Sequence, residues 1–232
     1  MKFIVNKEVF TNISGLNIGV LILNDIDNTV DVSEFVKEEY KMCADKMREK
    51  FEGVELAEYP VIKNWRAIYK GFGEKKARSS VESLIRRVVN GKDIYNINPL
   101  VDIYNLASLK FEIPCGGENT DAMESDLELT YATGSEIFIP LGQTDPENPK
   151  EGELLYKSGN NVVCRNFNYR ESDVTKLTPE TKNVFIVFED FSGDINNMEA
   201  ALAWIEDKAT EMLGATIKAK AILNESSPEL EW

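Results

Sequence analysis

The order of strand-like and helix-like segments predicts an α+β fold with a mostly antiparallel sheet, a buried central helix and flanking helices. Two apolar, β-branched segments open the chain, helical periodicity runs from residue 33 to about residue 111, and short strand-like segments dominate from residue 126. No linker or internal repeat interrupts this order. Residues 1–232 are therefore expected to form one domain.

The first two segments are expected to form neighbouring strands. They read KFIVNKEVF at residues 2–10 and LNIGVLILND at residues 16–25, and the turn-like TNISG separates them. Both are rich in β-branched residues, which favour strands.

Three amphipathic helices are predicted next. The first spans Ser33 to Phe51, where apolar residues recur every three or four positions, and a shorter one begins at Pro60. The third begins at Ser79, has Glu82 three residues later as a capping-box partner, and ends near Gly91.

The central helix is predicted to begin with Asn98 as its cap and Pro99 in its first turn. Apolar residues cover much of its circumference, which is typical of a buried helix. Asp102, Asn105 and Ser108 are spaced three apart and form a polar row on one face. Because buried polar groups need partners, the row either ties the core together or lines a cavity.

A turn is predicted where this helix breaks, at Pro114 followed by Cys115, Gly116 and Gly117. The residues allow two interpretations. In one, the glycines fit a tight turn and the polar row bonds to neighbouring loops. In the other, the row and the glycines are two walls of one pocket, because glycine lets a ligand approach the backbone closely.

Strands dominate the second half. The predicted strand segments are DLELTYAT, EIFIP, ELLYK, VVCRNFNY and NVFIVFEDF, and KSGNN is expected to be a hairpin loop. A helix from Met198 to Leu213, a strand TIKAKAIL and a polar tail are predicted to follow.

The chain contains no histidine, which excludes Ser-His-Asp triads, Cys-His dyads and histidine-built zinc sites. Its three cysteines are widely spaced, so we expect reduced thiols, no metal site and no cofactor. No apolar run is long enough to span a membrane and no signal peptide is recognisable, so a cytoplasmic protein is expected.

The charge distribution is uneven. A net charge of −14 argues against nonspecific coating of nucleic acid, and no DNA partner is expected. Residues 61–92 are the exception, because nine basic and two acidic residues give this segment a charge of +7. It consists either of solvated helix faces or of a surface for an anionic partner. Arg78 and Ser79 lie where a helix N-terminus can hold an anion, although Ser79 can also be a simple cap.

Three segments carry a resemblance to a known family: VDIYNLASLKFEIP, ATGSEIFIPLG and ESDVTKLTPETKNVFIVFEDF. Together they resemble the B3/B4 editing domain of the bacterial phenylalanyl-tRNA synthetase β subunit. The chain is more similar still to free-standing B3/4 proteins, through WRAIYKGFGEKKARSSVESLIRRVVNGK, GELLY and CRNFNYRESDVTKLTPETKN. The resemblance covers roughly residues 60–190 in the same order throughout.

The resemblance implies a pocket that receives the 3′ end of misacylated tRNA and hydrolyses its aminoacyl ester. By position, Asn105, Gly134, Glu136 and the pair Arg170–Glu171 fall around that pocket. One departure is Gly116, which stands where the family usually has a histidine. The pocket is therefore expected either to hydrolyse with altered specificity or to bind tRNA or an amino acid without turnover.

Ester hydrolysis needs an oriented water and a stabilised oxyanion, and amides, N–H groups and a carboxylate suffice for both. We expect the catalytic residues to be Asn105, Glu136 and Glu171. The expected substrate-binding residues are Arg78, Ser79, Asp102, Ser108, Cys115, Gly116, Gly117, Gly134, Asn168 and Arg170. Lys75, Lys76, Arg86 and Arg87 are expected to contact the tRNA backbone. Cys115 is expected to be a packed thiol, because no base is available to activate it.

Overall fold

The computed structural model of the chain describes residues 1–93 and 96–232, and in these ranges the chain forms ten strands and six α-helices. The first half contains β1 (Lys2–Val5), α1 (Lys7–Asn12), β2 (Asn17–Asn24), α2 (Ser33–Lys50), α3 (Pro60–Gly71), α4 (Ser80–Val89) and α5 (Pro99–Phe111). The second half contains β3 (Cys115–Asn119), β4 (Leu127–Tyr131), β5 (Leu154–Ser158), β6 (Asn161–Arg165), β7 (Arg170–Glu171), β8 (Val184–Asp190), α6 (Ile195–Leu213), β9 (Thr216–Leu223) and β10 (Glu229–Glu231).

The strands form two sheets. One has six strands in the order β10-β1-β4-β5-β6-β7, and the other has four in the order β3-β8-β2-β9. Neighbouring strands are antiparallel, apart from the parallel pair β1 and β4. The predicted α+β fold with a mostly antiparallel sheet is therefore confirmed.

Two apolar layers hold this arrangement together. Side chains such as Phe3, Val20 and Phe185 fill the space between the sheets. On the other face of the four-stranded sheet, β2 and β8 pack against α5 and α6. Helix α5 is buried along most of its length, as predicted. No helix within residues 1–93 or 96–232 is long and apolar enough to cross a membrane.

The prediction of two neighbouring strands at the start of the chain is wrong. Residues 7–12 form α1 instead, and β1 and β2 lie in different sheets. The reason is a cap: the Asn6 side chain accepts a hydrogen bond of 3.0 Å from the Glu8 N–H. Such a cap lets two apolar residues, Val9 and Phe10, enter the core from a short helix.

The predicted turn at Cys115–Gly117 is also wrong, because these residues belong to β3. The chain reverses earlier, at Glu112, which adopts a left-handed conformation with φ of 57°. Strand β3 lies at the edge of its sheet and pairs only with β8. Hydrogen bonds between the backbones of β3 and β8 therefore hold β3 in the sheet, although Gly116 and Gly117 have no side chains to pack.

The remaining helices follow the sequence closely. Helices α2, α3, α4 and α5 begin within one residue of their predicted starts, and Ser79 and Asn98 cap α4 and α5 with their side chains. The KSGNN hairpin joins β5 to β6 as predicted. The segment EIFIP is different: it makes only isolated bridges, at Ile137, Phe138 and Pro140.

The two glycines of β3 face opposite sides of the sheet, so alanine substitutions should separate their roles. A Cβ on Gly117 would lie 2.9 Å from Ile186 Cδ1 and 3.1 Å from Tyr104 Cε1, whereas one on Gly116 would meet only Val187, at 3.8 Å. Gly117→Ala is expected to lower the free energy of unfolding by about 1–3 kcal/mol through overpacking. Gly116→Ala should change it by less than about 1 kcal/mol. Urea denaturation of both variants checks this, and equal destabilisation would contradict it.

Candidate functional site

A cavity lies between the two sheets, bounded by β3 and β8 on one side and by β4 to β7 on the other. The volume open to the centres of water-sized molecules is about 30 Å³, which is room for a few atoms or one or two waters. Its polar lining comprises Ser80, Tyr156, Asn168 and three glutamates, Glu118, Glu171 and Glu189. Its remaining lining comprises Cys115, Gly116, Leu127, Val163, Cys164, Phe185 and Val187.

Strand alternation places the glutamates together. Successive side chains of a strand point to opposite faces, so Phe185, Val187 and Glu189 of β8 share the face that lines the cavity. Gly116 pairs with Val187 and Glu118 pairs with Phe185, which puts both β3 residues on that face as well. The third carboxylate, Glu171, comes from β7 at the edge of the other sheet.

Glu189 is fully enclosed and accepts two hydrogen bonds. The Tyr156 hydroxyl donates to Oε1 at 2.8 Å and the Asn168 amide donates to Oε2 at 2.9 Å. Burial raises the pKa of Glu189 to about 7, the nearby Glu171 adds to the rise, and the two hydrogen bonds limit it. A carboxylate with this pKa exchanges protons at neutral pH, which is the property of a general base.

Asn168 owes its position to an unusual turn. Asn166 and Phe167 both have positive φ, at 50° and 64°, and this left-handed pair directs the following residue into the cavity. Such conformations cost energy in residues other than glycine and cluster at functional sites. The Tyr69 hydroxyl donates to Asn168 Oδ1, so both ends of the amide are held.

The loop that carries Asn168 is fixed on either side by arginines. Arg165 makes paired hydrogen bonds of 2.7 Å with Glu153, and Arg165 and Arg170 both bond Glu147, at 2.8 and 2.9 Å. Both guanidinium groups also lie over the Phe138 ring. Arg170, which was predicted to bind substrate, thus lies outside the cavity lining and anchors the loop.

Glu118 and Glu171 both line the cavity, and each influences the pKa of the other. Burial raises the pKa of Glu118 well above its usual value, and the charge of Glu171 and the hydrogen bond to it raise it further. Burial also raises the pKa of Glu171, but the bond from Glu118 opposes the rise. Glu118 is 7% exposed; residue 171 is exposed as a whole, although it lines the cavity and burial raises the pKa of its carboxyl group.

The cavity glutamates have no basic partner. No lysine or arginine in residues 1–93 or 96–232 lies within 4 Å of Glu118, Glu171 or Glu189. Beside Glu118, the Thr175 hydroxyl is buried, and its interaction with the Glu118 carboxyl group lowers the pKa of that group. No group of three His, Cys, Asp or Glu residues in the same ranges is arranged to hold a metal ion.

The two cavity thiols are poor nucleophiles. Burial raises the pKa of Cys115 well above its usual value, and it does the same to the pKa of Cys164. Both remain protonated at neutral pH, and the thiolate is the reactive form.

A second depression, the basic cleft, begins next to the cavity. It has a volume of about 610 Å³ and is lined by Arg66, Lys70, Lys75, Lys76, Ala77 and Arg78. The chain runs directly from this cleft through Ser79 to Ser80, which lines the cavity. The N-terminus of α4 therefore separates a positively charged surface from a negatively charged interior.

Part of this positive charge is neutralised by Glu82, which is fully buried. Arg66 Nη2 and Arg86 Nε bond Glu82 Oε1, at 2.6 and 2.7 Å. Burial opposes ionisation of Glu82, yet these arginines hold its pKa below the usual value. Lys75 and Lys76 are exposed and make no ion pair within residues 1–93 and 96–232, so their charges face solvent. Arg87, also predicted to contact tRNA, donates to the Asp93 carbonyl oxygen at 3.2 Å.

The polar row of α5 does not form a wall of this cavity. Asp102 Oδ1 accepts from the Ile97 N–H at 3.1 Å and Ser108 donates to the Ile113 carbonyl oxygen at 2.7 Å, so both tie the helix to adjacent chain. Asn105 is half-buried on α5 and is not part of the cavity lining.

Glu136 and Gly134 also lie apart from the cavity lining, in a loop of their own. The Glu136 carboxylate accepts hydrogen bonds from the N–H groups of Thr133 and Gly134, at 3.0 and 3.1 Å. Burial works against ionisation, but the hydrogen bonds from Thr133 and the charge of Lys157 lower the pKa of Glu136 below its usual value. Gly134 has φ of 88°, a conformation that favours glycine in this turn. Four of the predicted residues do line the cavity: Cys115, Gly116, Asn168 and Glu171.

The comparison with protein families agrees with the motifs. The sequence profile of the B3/4 domain matches residues 64–212, which is more than half of the chain. The chain belongs to the B3/4 domain family. The matched range of this B3/4 domain includes both the basic cleft and every residue that lines the cavity.

Among solved structures, this B3/4 domain is similar to an N-terminal fragment of the phenylalanyl-tRNA synthetase β-subunit from Pyrococcus horikoshii. The identity is 14%, the TM-score is 0.47, and the match covers 95% of this chain and 53% of that one. The chain thus spans about half the length of the fragment. No curated protein matches the sequence significantly.

The sequence analysis of this B3/4 domain missed Glu118, Glu189 and Tyr156. The sequence did contain a signal for Glu189. In the strand VFIVFED, Phe185, Val187 and Glu189 are every second residue, so the Glu189 carboxylate points to the same face as two core residues. A buried, unpaired carboxylate is costly and marks a functional position.

Proposed function

We propose that this B3/4 domain hydrolyses the ester bond of misacylated tRNA, with the aminoacyl group in the cavity and the RNA backbone in the basic cleft. One observation carries the proposal: a buried cavity containing a carboxylate with a pKa of about 7 adjoins a cleft whose free charges are lysines. An aminoacyl-tRNA end has the matching chemistry, since anionic phosphates lie next to a small ester.

The chemistry needs one water molecule. Glu189 takes a proton from this water, whose oxygen attacks the ester carbon. The bond between that carbon and the ribose oxygen then breaks, and the proton is returned to the ribose oxygen. Asn168 is held by Tyr69 and Glu189 and orients the reacting groups. Ser80 lies in the first turn of α4, where the helix dipole stabilises the developing oxyanion.

The family supports tRNA as the partner. The motifs of the chain resemble a domain that edits aminoacyl-tRNA, and the family match extends over the basic cleft. The net charge of the chain, −14, disfavours loose RNA binding elsewhere on the surface, so contacts should concentrate at the cleft.

Charge reversal in the cleft should weaken tRNA binding. Lys75→Glu/Lys76→Glu is expected to raise the Kd for tRNA by about tenfold or more at low salt and to reduce its dependence on salt concentration. Lys37→Glu/Lys41→Glu makes the same change in charge on the exposed face of α2 and should have a much smaller effect. Filter binding over a salt series measures both. Equal losses of affinity in the two variants would mean that the basic cleft is not the tRNA-binding surface.

The proposed activity is tested with a panel of tRNAs, each charged with a correct or an incorrect amino acid. The protein should release the amino acid from at least one mischarged tRNA faster than buffer does. No release from any member, at enzyme in excess over tRNA, would reject the proposed function.

A second function rests on Gly116, which stands where the family usually has a histidine. Without an imidazole in the cavity, the domain is also suited to binding an aminoacyl end and shielding it. Saturable binding of aminoacyl-tRNA without release of the amino acid would support this alternative.

A further inference from the structure

One aromatic ring differs from all the others in its exposure. Tyr169 is 41% exposed, whereas every other aromatic residue within residues 1–93 and 96–232 is buried or partly buried. Tyr169 directly follows Asn168, which lines the cavity, so the exposed ring lies beside the candidate site. A flat aromatic ring at such a place offers a large apolar surface to a ligand.

Contacts with neighbouring residues fix the place of this ring. The centroids of the Tyr169 and Tyr69 rings are 6.1 Å apart, in an edge-to-face arrangement with 60° between the ring planes. Tyr69 is fully buried, and its hydroxyl donates to Asn168. On α3, Arg66 lies one turn before Tyr69 and Lys70 directly follows it, and both line the basic cleft. The Tyr169 ring therefore rests on a residue that connects the cavity with the cleft.

The loop that carries Tyr169 is held on both sides. The Tyr169 N–H donates to the Arg165 carbonyl oxygen at 3.2 Å, and the side chains of Arg165 and Arg170 both bond Glu147. Residues 166 and 167 have positive φ, and such conformations persist only where the surrounding structure enforces them. A ring that is already held in place loses little conformational freedom when a ligand stacks on it, which favours binding.

We propose that Tyr169 is a positioning residue that stacks on the terminal nucleobase of the RNA and so holds the ester at Asn168 and Glu189. This inference rests on the proposed function and adds a contact for the base. Nucleobases stack on aromatic side chains beside positively charged grooves, and every base has a flat face for this contact. The lysines of the basic cleft make a nucleotide a better match for this ring than an apolar protein surface.

The chemistry of the RNA end agrees with this placement. In an aminoacyl-adenosine the base and the ester are attached to the same ribose. Asn168 and Tyr169 are consecutive residues, so their Cα atoms are about 3.8 Å apart. An ester at Asn168 therefore places the base near Tyr169, and the phosphate of the same nucleotide extends toward the basic cleft.

Removing the ring and removing the base test the contact together. The probes are an intact tRNA and the same tRNA whose last nucleotide lacks its base but keeps its ribose and phosphate. Tyr169→Ala is expected to raise the Kd for intact tRNA by about fivefold to a hundredfold, the range that base stacking supplies. The Kd for the abasic tRNA should change by less than about twofold, because the contact is absent before and after the substitution. Filter binding measures all four affinities.

Further variants separate stacking from other effects. Tyr169→Phe keeps the ring and should bind intact tRNA as the wild type does. Tyr169→Leu keeps an apolar side chain over Tyr69 and should lose affinity, because it has no ring. Met42→Ala removes an exposed apolar side chain outside the cavity and the cleft, and it should have no effect. Tyr169→Ala should leave the salt dependence of binding unchanged, unlike Lys75→Glu/Lys76→Glu. Far-ultraviolet circular dichroism confirms that each variant is folded.

The outcomes separate this inference from the proposed function. Equal losses of affinity for intact and abasic tRNA overturn the inference. So does an unchanged Kd for intact tRNA in Tyr169→Ala, which would leave the exposed ring as a contact for a protein. Release of amino acids from mischarged tRNA can still occur in both cases. Conversely, the expected pattern of Kd values without ester hydrolysis would uphold the inference and reject catalysis, and a wild-type protein that binds neither tRNA would overturn both.

Discussion

Glu189→Gln is expected to lower the kcat for ester hydrolysis by about 10²–10⁴-fold, the contribution typical of a general base. Glutamine preserves the size of the side chain and an acceptor for the Tyr156 hydroxyl, but it cannot take a proton from water. The KM should change much less than kcat, because the basic cleft is unaffected. Single-turnover measurements with a mischarged tRNA separate the two constants.

The pH dependence identifies the base more directly than the loss of rate. The wild-type rate should rise about tenfold per pH unit below pH 7 and level off above it, because the pKa of Glu189 is raised to about 7 by burial. The residual rate of Glu189→Gln should lack this rise. A variant that keeps the same pH profile would show that another group is the base. Glu151→Gln, at the exposed surface, should retain both rate and profile.

The second large effect concerns stability. The pKa of Glu189 is raised from 4.5 to about 7 in the folded protein. A carboxyl group with a raised pKa contributes stability that is fully present below about pH 4.5 and is lost as the pH rises through 7. The shift corresponds to up to about 3 kcal/mol in the free energy of unfolding. The pKa values of Glu118 and Glu171 are also raised, so they change stability in the same direction.

The Glu189→Gln substitution removes the part of the pH dependence of stability that Glu189 causes. Between pH 4.5 and 8, the free energy of unfolding of the wild type should fall by up to about 3 kcal/mol more than that of the variant. Urea denaturation at several pH values measures the difference. Parallel curves for the two proteins would mean that Glu189 is ionised normally, and the assignment of a general base would then fail. A functional residue that costs stability at neutral pH is common in active sites.

Local signals in the sequence predicted the helices well. Asn98 and Ser79 cap helices because their side chains bond N–H groups a few residues away, and such information is contained in the neighbouring sequence. The same reasoning failed for KEVF. These residues suit a strand by composition, but the Asn6 cap and packing in the core between the sheets favour a helix.

The strand β3 could not be predicted from propensity, because CGGEN contains two glycines and no β-branched residue. Its conformation comes from pairing with β8, which lies more than sixty positions later in the chain. Long-range pairing of this kind also determines which face a side chain occupies. Gly116 lines the cavity, whereas Gly117 packs against Tyr104 and Ile186 on the opposite face.

The candidate site was predictable only in part for the same reason. Glu171 was selected through the resemblance to a family and Asn168 as an amide suited to ester hydrolysis, and both line the cavity. Glu118 and Glu189 belong to strands that neighbour each other only in the folded sheet. Glu136 was selected for its motif, yet its carboxylate bonds the loop that contains it. Sequence motifs located the region, and pairing between strands decided which carboxylates meet.

The central claim is that the cavity between the sheets receives the aminoacyl end of tRNA. A crystal structure of the protein with adenosine carrying alanine through a 3′-amide tests it most directly. The account predicts the amide carbonyl beside Glu189 and Asn168, and the adenosine directed toward Lys75 and Lys76. An analogue bound elsewhere, with the cavity unchanged and holding only water, would contradict the account.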